Sequence, residues 1–155
     1  MEYETKIMDD NCKEFTHPAN NQLRIIREDN KFWYCAKDIA RLLKKPKYTD
    51  TPYRYARSLD KKVARENQEG IDRDPSDYYK YINCAVITYN GIRKFDFIYL
   101  THLGLKITLE KSRNIDAGNL MNKIDKLTTE LYLISMEDGE KVVANFEEKV
   151  IYLEK

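Results

Sequence analysis

The stretch that decides the fold runs from Lys31 to Arg65 and reads KFWYCAKDIARLLKKPKYTDTPYRYARSLDKKVAR. It begins with an aromatic run that is typical of a strand. From Ala36 onward the apolar residues recur at helical spacing, and many of the residues between them are basic. The stretch is therefore either a core element with a solvated edge or a surface that binds a large anion.

The positive charge of the chain is concentrated here. The span 37–65 holds ten basic and three acidic residues, a net charge of +7, whereas the whole chain carries +1. The 36 residues before the span carry −2 and the 90 residues after it carry −4. One strongly basic block in an otherwise acidic chain is the charge distribution expected of a nucleic-acid-binding surface.

Two helices are predicted inside the stretch. The first covers 37–44 and should end before Pro46, because the residue preceding a proline is disfavoured in the α conformation. The second covers 52–66, with Thr51 as a helix cap and Gly70 just past its end.

The second helix has two opposite faces at 100° per residue. Its apolar face is formed by Pro52, Ala56, Leu59 and Val63. Its basic face is formed by Arg54, Arg57, Lys61 and Arg65. Like charges at these spacings repel by roughly a few tenths of a kcal/mol each. A face that carries this repulsion without an acid suggests an anionic partner.

Hairpins are predicted on both sides of the basic block. Segments 23–27 and 32–35 read as strands joined at Asp29-Asn30. The strands of the second hairpin cover 78–88 and 93–100, and the Asn90-Gly91 dipeptide lies between them.

The remainder of the chain is predicted to be mostly helical. Thr101 should cap a helix through residue 112, with Leu103, Leu105 and Ile107 inward and Lys106, Lys111 and Arg113 in solvent. A short heptad seam follows, and it predicts a homodimer: Leu120, Ile124, Leu127, Leu131 and Ile134. Asp138-Gly139 suggests a further hairpin.

We therefore expect an α+β fold of small antiparallel hairpins packed with several short helices. The predicted divisions are an N-terminal arm (1–22), a main domain (23–115) and a C-terminal helix and hairpin extension (116–155).

The sequence offers little for catalysis or metal binding. Cys12, Cys35 and Cys84 are widely spaced and form no C-x-x-C motif. The five glycines form no phosphate-binding loop, and the acidic loop 72–77 does not complete a calcium motif. We expect a protein that is not an enzyme and that has no cofactor and no metal. The acidic start and the absence of a long apolar run predict an intracellular location, without secretion or membrane insertion.

Two motifs resemble a known family. LRIIREDNKFWYCAKDIARLL and FIYLTHLGLKITLEKS are similar to the two halves of the Bro-N domain, the N-terminal domain of viral BRO proteins and phage antirepressors. The first half matches at Arg24, Trp33, Ala36, Lys37, Asp38, Ile39, Ala40 and Leu42. The second matches at Phe97, Ile98, Gly104, Leu105 and Ser112. The helix that usually follows in the family has a Trp and a Pro, which DAGNLMNKI lacks.

The resemblance implies an α+β DNA-binding domain used in transcription regulation or host takeover, without catalysis. The residues that we expect to contact nucleic acid, duplex DNA in preference to single strands, are Arg41, Lys44, Lys45, Lys47, Arg54, Arg57, Lys61, Lys62 and Arg65. Arg54 is the candidate for reading bases, because recognition helices present their N-terminal residues to base edges. The alternative is a viral interaction module that binds or inhibits a host protein with the same fold.

Overall fold

The computed structural model describes residues 7–8, 15–16, 22–45, 50–88, 91–114, 116–146 and 150–153. The described strands are β1 (Ile7–Met8), β2 (Phe15–Thr16), β3 (Gln22–Glu28), β4 (Lys31–Cys35), β5 (Tyr79–Thr88), β6 (Gly91–Leu100), β7 (Lys141–Asn145) and β8 (Val150–Leu153). The described α-helices are α1 (Ala36–Leu42), α2 (Thr51–Gln68), α3 (His102–Lys111) and α4 (Ala117–Leu133), and Pro75–Asp77 forms a short 3-10 helix.

The strands form one sheet in the order β1-β7-β3-β4-β6-β5-β2, and β8 also pairs with β7. Every pairing in it is antiparallel except the one between β2 and β5. Antiparallel strands combined with separate helices define an α+β fold, as the sequence predicts.

The first predicted hairpin is present. β3 and β4 are joined by Asp29 and Asn30, which have φ angles of 54° and 58°. Positive φ at both central residues identifies a type I′ turn, whose twist matches that of the flanking strands.

The second predicted hairpin is also present, and its second strand begins two residues earlier than predicted. β5 and β6 pair from Tyr79–Leu100 to Thr88–Gly91. Gly91 is therefore the first residue of a strand, and Asn90 lies outside the described residues.

The predicted boundaries of the two basic-block helices need small corrections. α1 ends at Leu42, two residues earlier than predicted. α2 begins one residue earlier than predicted. Thr51 is its first residue and is buried, so Asp50 takes the cap position that was predicted for Thr51. At the other end, Gly70 has a φ of +86° just past the helix. Glycine adopts this left-handed conformation without strain, as expected of a residue that terminates a helix.

All four α-helices contribute to one core with the sheet. Its fully buried members include Tyr34 and Leu100 from strands and Ile39, Leu105 and Ile124 from helices. α3 is capped by Thr101, whose side chain accepts from the backbone N–H of Gly104. The inward position predicted for Leu103 is wrong, because this side chain is exposed.

The segment predicted as a C-terminal extension shares this sheet and this core. β7 pairs with β3, and α4 buries the first four residues of the predicted seam: Leu120, Ile124, Leu127 and Leu131. These side chains pack within their own chain, whereas Ile134 follows the end of the helix and is exposed. The homodimer stays a prediction that would need other contacts.

Asp138-Gly139 does not turn a hairpin. The dipeptide lies in the connection between α4 and β7, where the N–H of Gly139 donates to the carbonyl of Arg27 at 2.6 Å. The observed C-terminal hairpin is formed further along the chain, by β7 and β8.

Candidate nucleic-acid interface

The two faces predicted for α2 are present. All four residues of the apolar face are buried: Pro52, Ala56, Leu59 and Val63. All four residues of the basic face are exposed, and we call them the basic stripe: Arg54, Arg57, Lys61 and Arg65. Packing of the apolar face against the core therefore holds the basic stripe toward solvent.

Both carboxylates of α2 are bound away from the basic stripe. Asp60 accepts a hydrogen bond from the hydroxyl of Tyr79 at 2.8 Å. Glu66 is buried and accepts from the hydroxyl of Tyr78 and from Arg73, whose Nη2 lies 3.0 Å away. The hydrogen bond from Tyr78, together with Arg73, lowers the pKa of Glu66 and keeps it ionised.

As a result, the basic stripe is left without acidic partners. Within the part of the chain that the structure describes, none of its four residues takes part in an ion pair. Exposed basic side chains on helices are commonly matched with acids three or four residues away. Here the helix turns its two acids toward other elements, so the uncompensated charge faces solvent.

α3 adds basic residues that the sequence pattern did not assign to this surface. The Nζ of Lys111, in the last turn of α3, donates to Ser58 Oγ of α2 at 3.4 Å. Arg113 follows α3 and is exposed. Both lie about 50 positions from α2 in the chain, so local periodicity carries no signal that would join them to it. The basic surface therefore spans two helices.

The other predicted site residues fall in different places. Lys44 is exposed, and Lys45 and Lys62 are half-buried. Lys47 lies outside the described residues. Arg41 is buried, and its predicted contact with phosphates requires correction.

Arg41 belongs to an ion cluster inside the protein. Asp38 is fully buried; its Oδ1 lies 2.9 Å from Arg41 Nη1 and its Oδ2 lies 2.9 Å from Arg24 Nε. A buried carboxylate needs such partners, because burial without them is costly. Arg41 therefore helps to neutralise Asp38, the carboxylate that joins α1 to β3, instead of facing solvent.

A second surface carries apolar character. A cavity of about 490 Å³ is lined in part by Phe32, Leu103 and Tyr132. Beside it, His102 Nε2 lies 2.7 Å from Asp125 Oδ1 at the surface. The chain continues from Tyr132 into exposed Leu133 and Ile134.

For the ranges described above, no cluster of three or more potential metal ligands is found. No helix in those ranges is both long and apolar enough to cross a membrane. Cys35 is buried beside the ion cluster, and its burial raises the pKa of the thiol to about 12. A thiol that stays protonated is a poor nucleophile.

Comparison with known proteins gives no match to a family model, a curated protein or a solved structure.

Proposed function

We propose that this protein binds nucleic acid through the basic stripe of α2, with duplex DNA as the preferred form. The observation that carries the proposal is that four cations lie exposed on one face of α2, whereas both acids of this helix are bound by residues of other elements. Neutralising phosphates releases the counterions condensed on DNA, and this release drives association.

The dimensions of α2 suit this role. Arg54 and Arg65 are eleven residues apart, which corresponds to about 16 Å along a helix. The DNA duplex carries one charge per roughly 1.7 Å of its axis, so several phosphates lie within reach of such a span. The major groove of DNA also admits an α-helix.

The roles within the stripe follow from position. Arg57, Lys61 and Arg65 lie further along the helix and would contact phosphates. Arg54 lies in the first turn of α2 and would reach base edges, since recognition helices commonly read bases with their N-terminal residues. Lys44 and Lys62 would extend the phosphate contacts on either side.

The resemblance to the Bro-N domain supports the same proposal. It suggests a non-enzymatic regulator of viral or phage type that acts on transcription or in host takeover. The residues that carry the resemblance are mostly structural here: Trp33 is buried in the sheet, and Asp38 holds the internal ion cluster. The matching positions thus support the scaffold, and the basic stripe supplies the binding surface.

A second candidate function is the binding of a host protein. The observation that favours it is the apolar surface around Leu103, Tyr132 and Leu133, which lies outside the basic surface. Exposed apolar patches of this kind commonly mark protein-interaction sites.

The test of the proposed function is a titration of the unmodified protein against labelled duplex DNA, single-stranded DNA and RNA of matched length at two salt concentrations. We expect binding to all three, tightest to duplex DNA. The logarithm of the association constant should fall linearly with the logarithm of salt concentration. Absence of binding at low salt would contradict the proposal and favour the protein-binding alternative.

A further inference from the structure

A groove between α2 and α3 lies beside the basic stripe. Its volume is about 340 Å³, within the range of small-molecule sites. Its polar lining includes three basic residues and two serines, namely Lys45, Lys111, Arg113, Ser58 and Ser112. None of the lining residues that the structure describes is acidic.

The groove holds more positive charge than the negative ends of the adjacent helices neutralise. Lys111 lies in the last turn of α3, and Lys45 lies just beyond α1. A helix C-terminus is equivalent to about half a negative charge, so two such ends offset about one positive charge. Three cations therefore leave the groove with about two uncompensated positive charges, which matches the charge of a phosphate monoester.

Tyr55 provides a second, independent indication. It lines the groove, and its buried hydroxyl has no hydrogen-bond partner among the described residues. A buried unpartnered hydroxyl destabilises a protein, so such groups in native proteins commonly await a ligand or water. Burial raises the pKa of Tyr55 to about 12, so the hydroxyl keeps its proton and can donate to an anion.

The groove also has an apolar part. Leu59 and Ile107 line it alongside the ring of Tyr55. A phosphate group alone would not need this apolar wall. A sugar or base attached to the phosphate would pack against it, because aromatic and aliphatic side chains accept the faces of bases.

We propose that this groove binds the phosphate monoester of a nucleotide. Lys45, Lys111 and Arg113 bind the phosphate, Ser58 donates a hydrogen bond to it, and a rotation of the Tyr55 side chain brings its enclosed hydroxyl into the groove as a second donor. The nucleotide has two sources, the phosphorylated end of a nucleic-acid strand or a free mononucleotide. The first source rests on the proposed function, because it needs a nucleic acid bound at the neighbouring stripe. The second source does not.

The experiment compares ligands that differ only in the monoester. One pair is a duplex with 5′-phosphate ends and the same duplex with 5′-hydroxyl ends. The other pair is adenosine 5′-monophosphate and adenosine. Calorimetric titration of the unmodified protein should show tighter binding of the phosphorylated member in at least one pair.

Two variants locate that preference. Lys111→Ala/Arg113→Ala should reduce affinity for adenosine 5′-monophosphate by about tenfold for each lost contact and leave adenosine nearly unaffected. With the duplexes it should weaken both members of the pair and reduce the advantage of the 5′-phosphate ends. The control Lys106→Ala/Lys123→Ala removes the same charge from exposed positions that do not line the groove, and it should keep the preference. Tyr55→Phe should weaken the preference for the phosphorylated ligand without any change in charge. If the double variant fails to fold, Tyr55→Phe provides the test.

The outcomes separate the two proposals. Binding of the monophosphate over adenosine without any duplex binding would support the groove and contradict the proposed function. Duplex binding without a preference for phosphate in either pair would overturn the groove and leave the proposed function intact. A preference that survives both Lys111→Ala/Arg113→Ala and Tyr55→Phe would also overturn the groove.

Discussion

The hydroxyl of Tyr79 in β5 donates to the carboxylate of Asp60 in α2 at 2.8 Å. Asp60 is three residues from Arg57, so its carboxylate could otherwise pair with this member of the basic stripe. A sheet residue thus holds the acid on the side of the helix that faces β5, and the outer face stays positive.

Removing that hydroxyl should weaken nucleic-acid binding. In Tyr79→Phe the carboxylate of Asp60 becomes able to pair with Arg57, and exposed pairs of this kind are worth about 0.2–1 kcal/mol. We expect an affinity for duplex DNA lowered by about 1.4- to 5-fold at low salt. Fluorescence anisotropy measures it. The control is Tyr81→Phe, an exposed tyrosine two residues further along the same strand; an equal loss in both variants would contradict this explanation.

Gly104 should not tolerate a side chain. A Cβ at this position of α3 would overlap the backbone carbonyl of Tyr78, with the carbonyl carbon only 2.9 Å away. That carbonyl also accepts from the N–H of Thr101 at 2.9 Å, so it cannot move freely. We expect Gly104→Ala to lower the free energy of unfolding by about 1–3 kcal/mol, measured by urea denaturation.

The matched control is Gly118→Ala in the first turn of α4, where a Cβ would meet nothing within 4 Å. This change should be neutral or stabilising by up to about 1 kcal/mol, because alanine has the higher helix propensity. Equal unfolding free energies for the two variants would show that α3 does not pack against Tyr78 as described.

The internal ion cluster should be essential for stability. Asp38→Ala would leave Arg24 and Arg41 buried without the carboxylate that both of them contact. Removing one partner of a buried pair typically costs about 3–5 kcal/mol. The comparison variant is Asp125→Ala, which removes the exposed pair with His102 and should cost less than about 1 kcal/mol. Thermal and urea denaturation of both variants measure the difference.

Glu66 should contribute an acid-sensitive part of the stability. Its pKa is lowered in the folded protein by Tyr78 and Arg73, so the folded state favours the ionised form. The contribution is therefore present above the ordinary pKa of 4.5 and is lost as the pH falls through the lower folded value. We expect the free energy of unfolding to fall less steeply in Glu66→Gln than in the parent as the pH drops below 4.5. An unchanged dependence of this free energy on pH would count against this contact.

The sequence predicts α2 well because its signals are local. Pro52 near its start and Gly70 past its end mark its bounds, and the sector of its apolar face follows from helical geometry alone. The exposure of the basic stripe follows from the burial of the opposite face.

Arg41 could not be placed from the same kind of pattern. Its position in α1 is compatible with a polar outer face, and its burial depends on Asp38 and on Arg24 from β3. Lys111 joins the basic surface only through the packing of α3 beside α2. Such contacts depend on tertiary structure, which local periodicity does not report.

The apolar seam of α4 shows that local spacing also does not predict what a helix packs against. Spacings of three and four residues suit a helix that packs on its own sheet as well as they suit a coiled coil. Leu127 and Leu131 are buried within the chain, and a pattern in one sequence does not distinguish the two arrangements.

The most direct test of the central claim is the salt dependence of duplex DNA binding in Arg57→Ala/Lys61→Ala. Both side chains are exposed and lie away from the apolar face, so the variant should fold as the parent does. The control Lys123→Ala/Lys126→Ala removes the same charge from exposed positions of α4. We predict that the slope of log association constant against log salt shrinks by about two units in the stripe variant, since each phosphate contact contributes about 0.9, and stays unchanged in the control. Equal affinity and equal slope in the stripe variant and the parent would contradict the claim that the basic stripe binds nucleic acid.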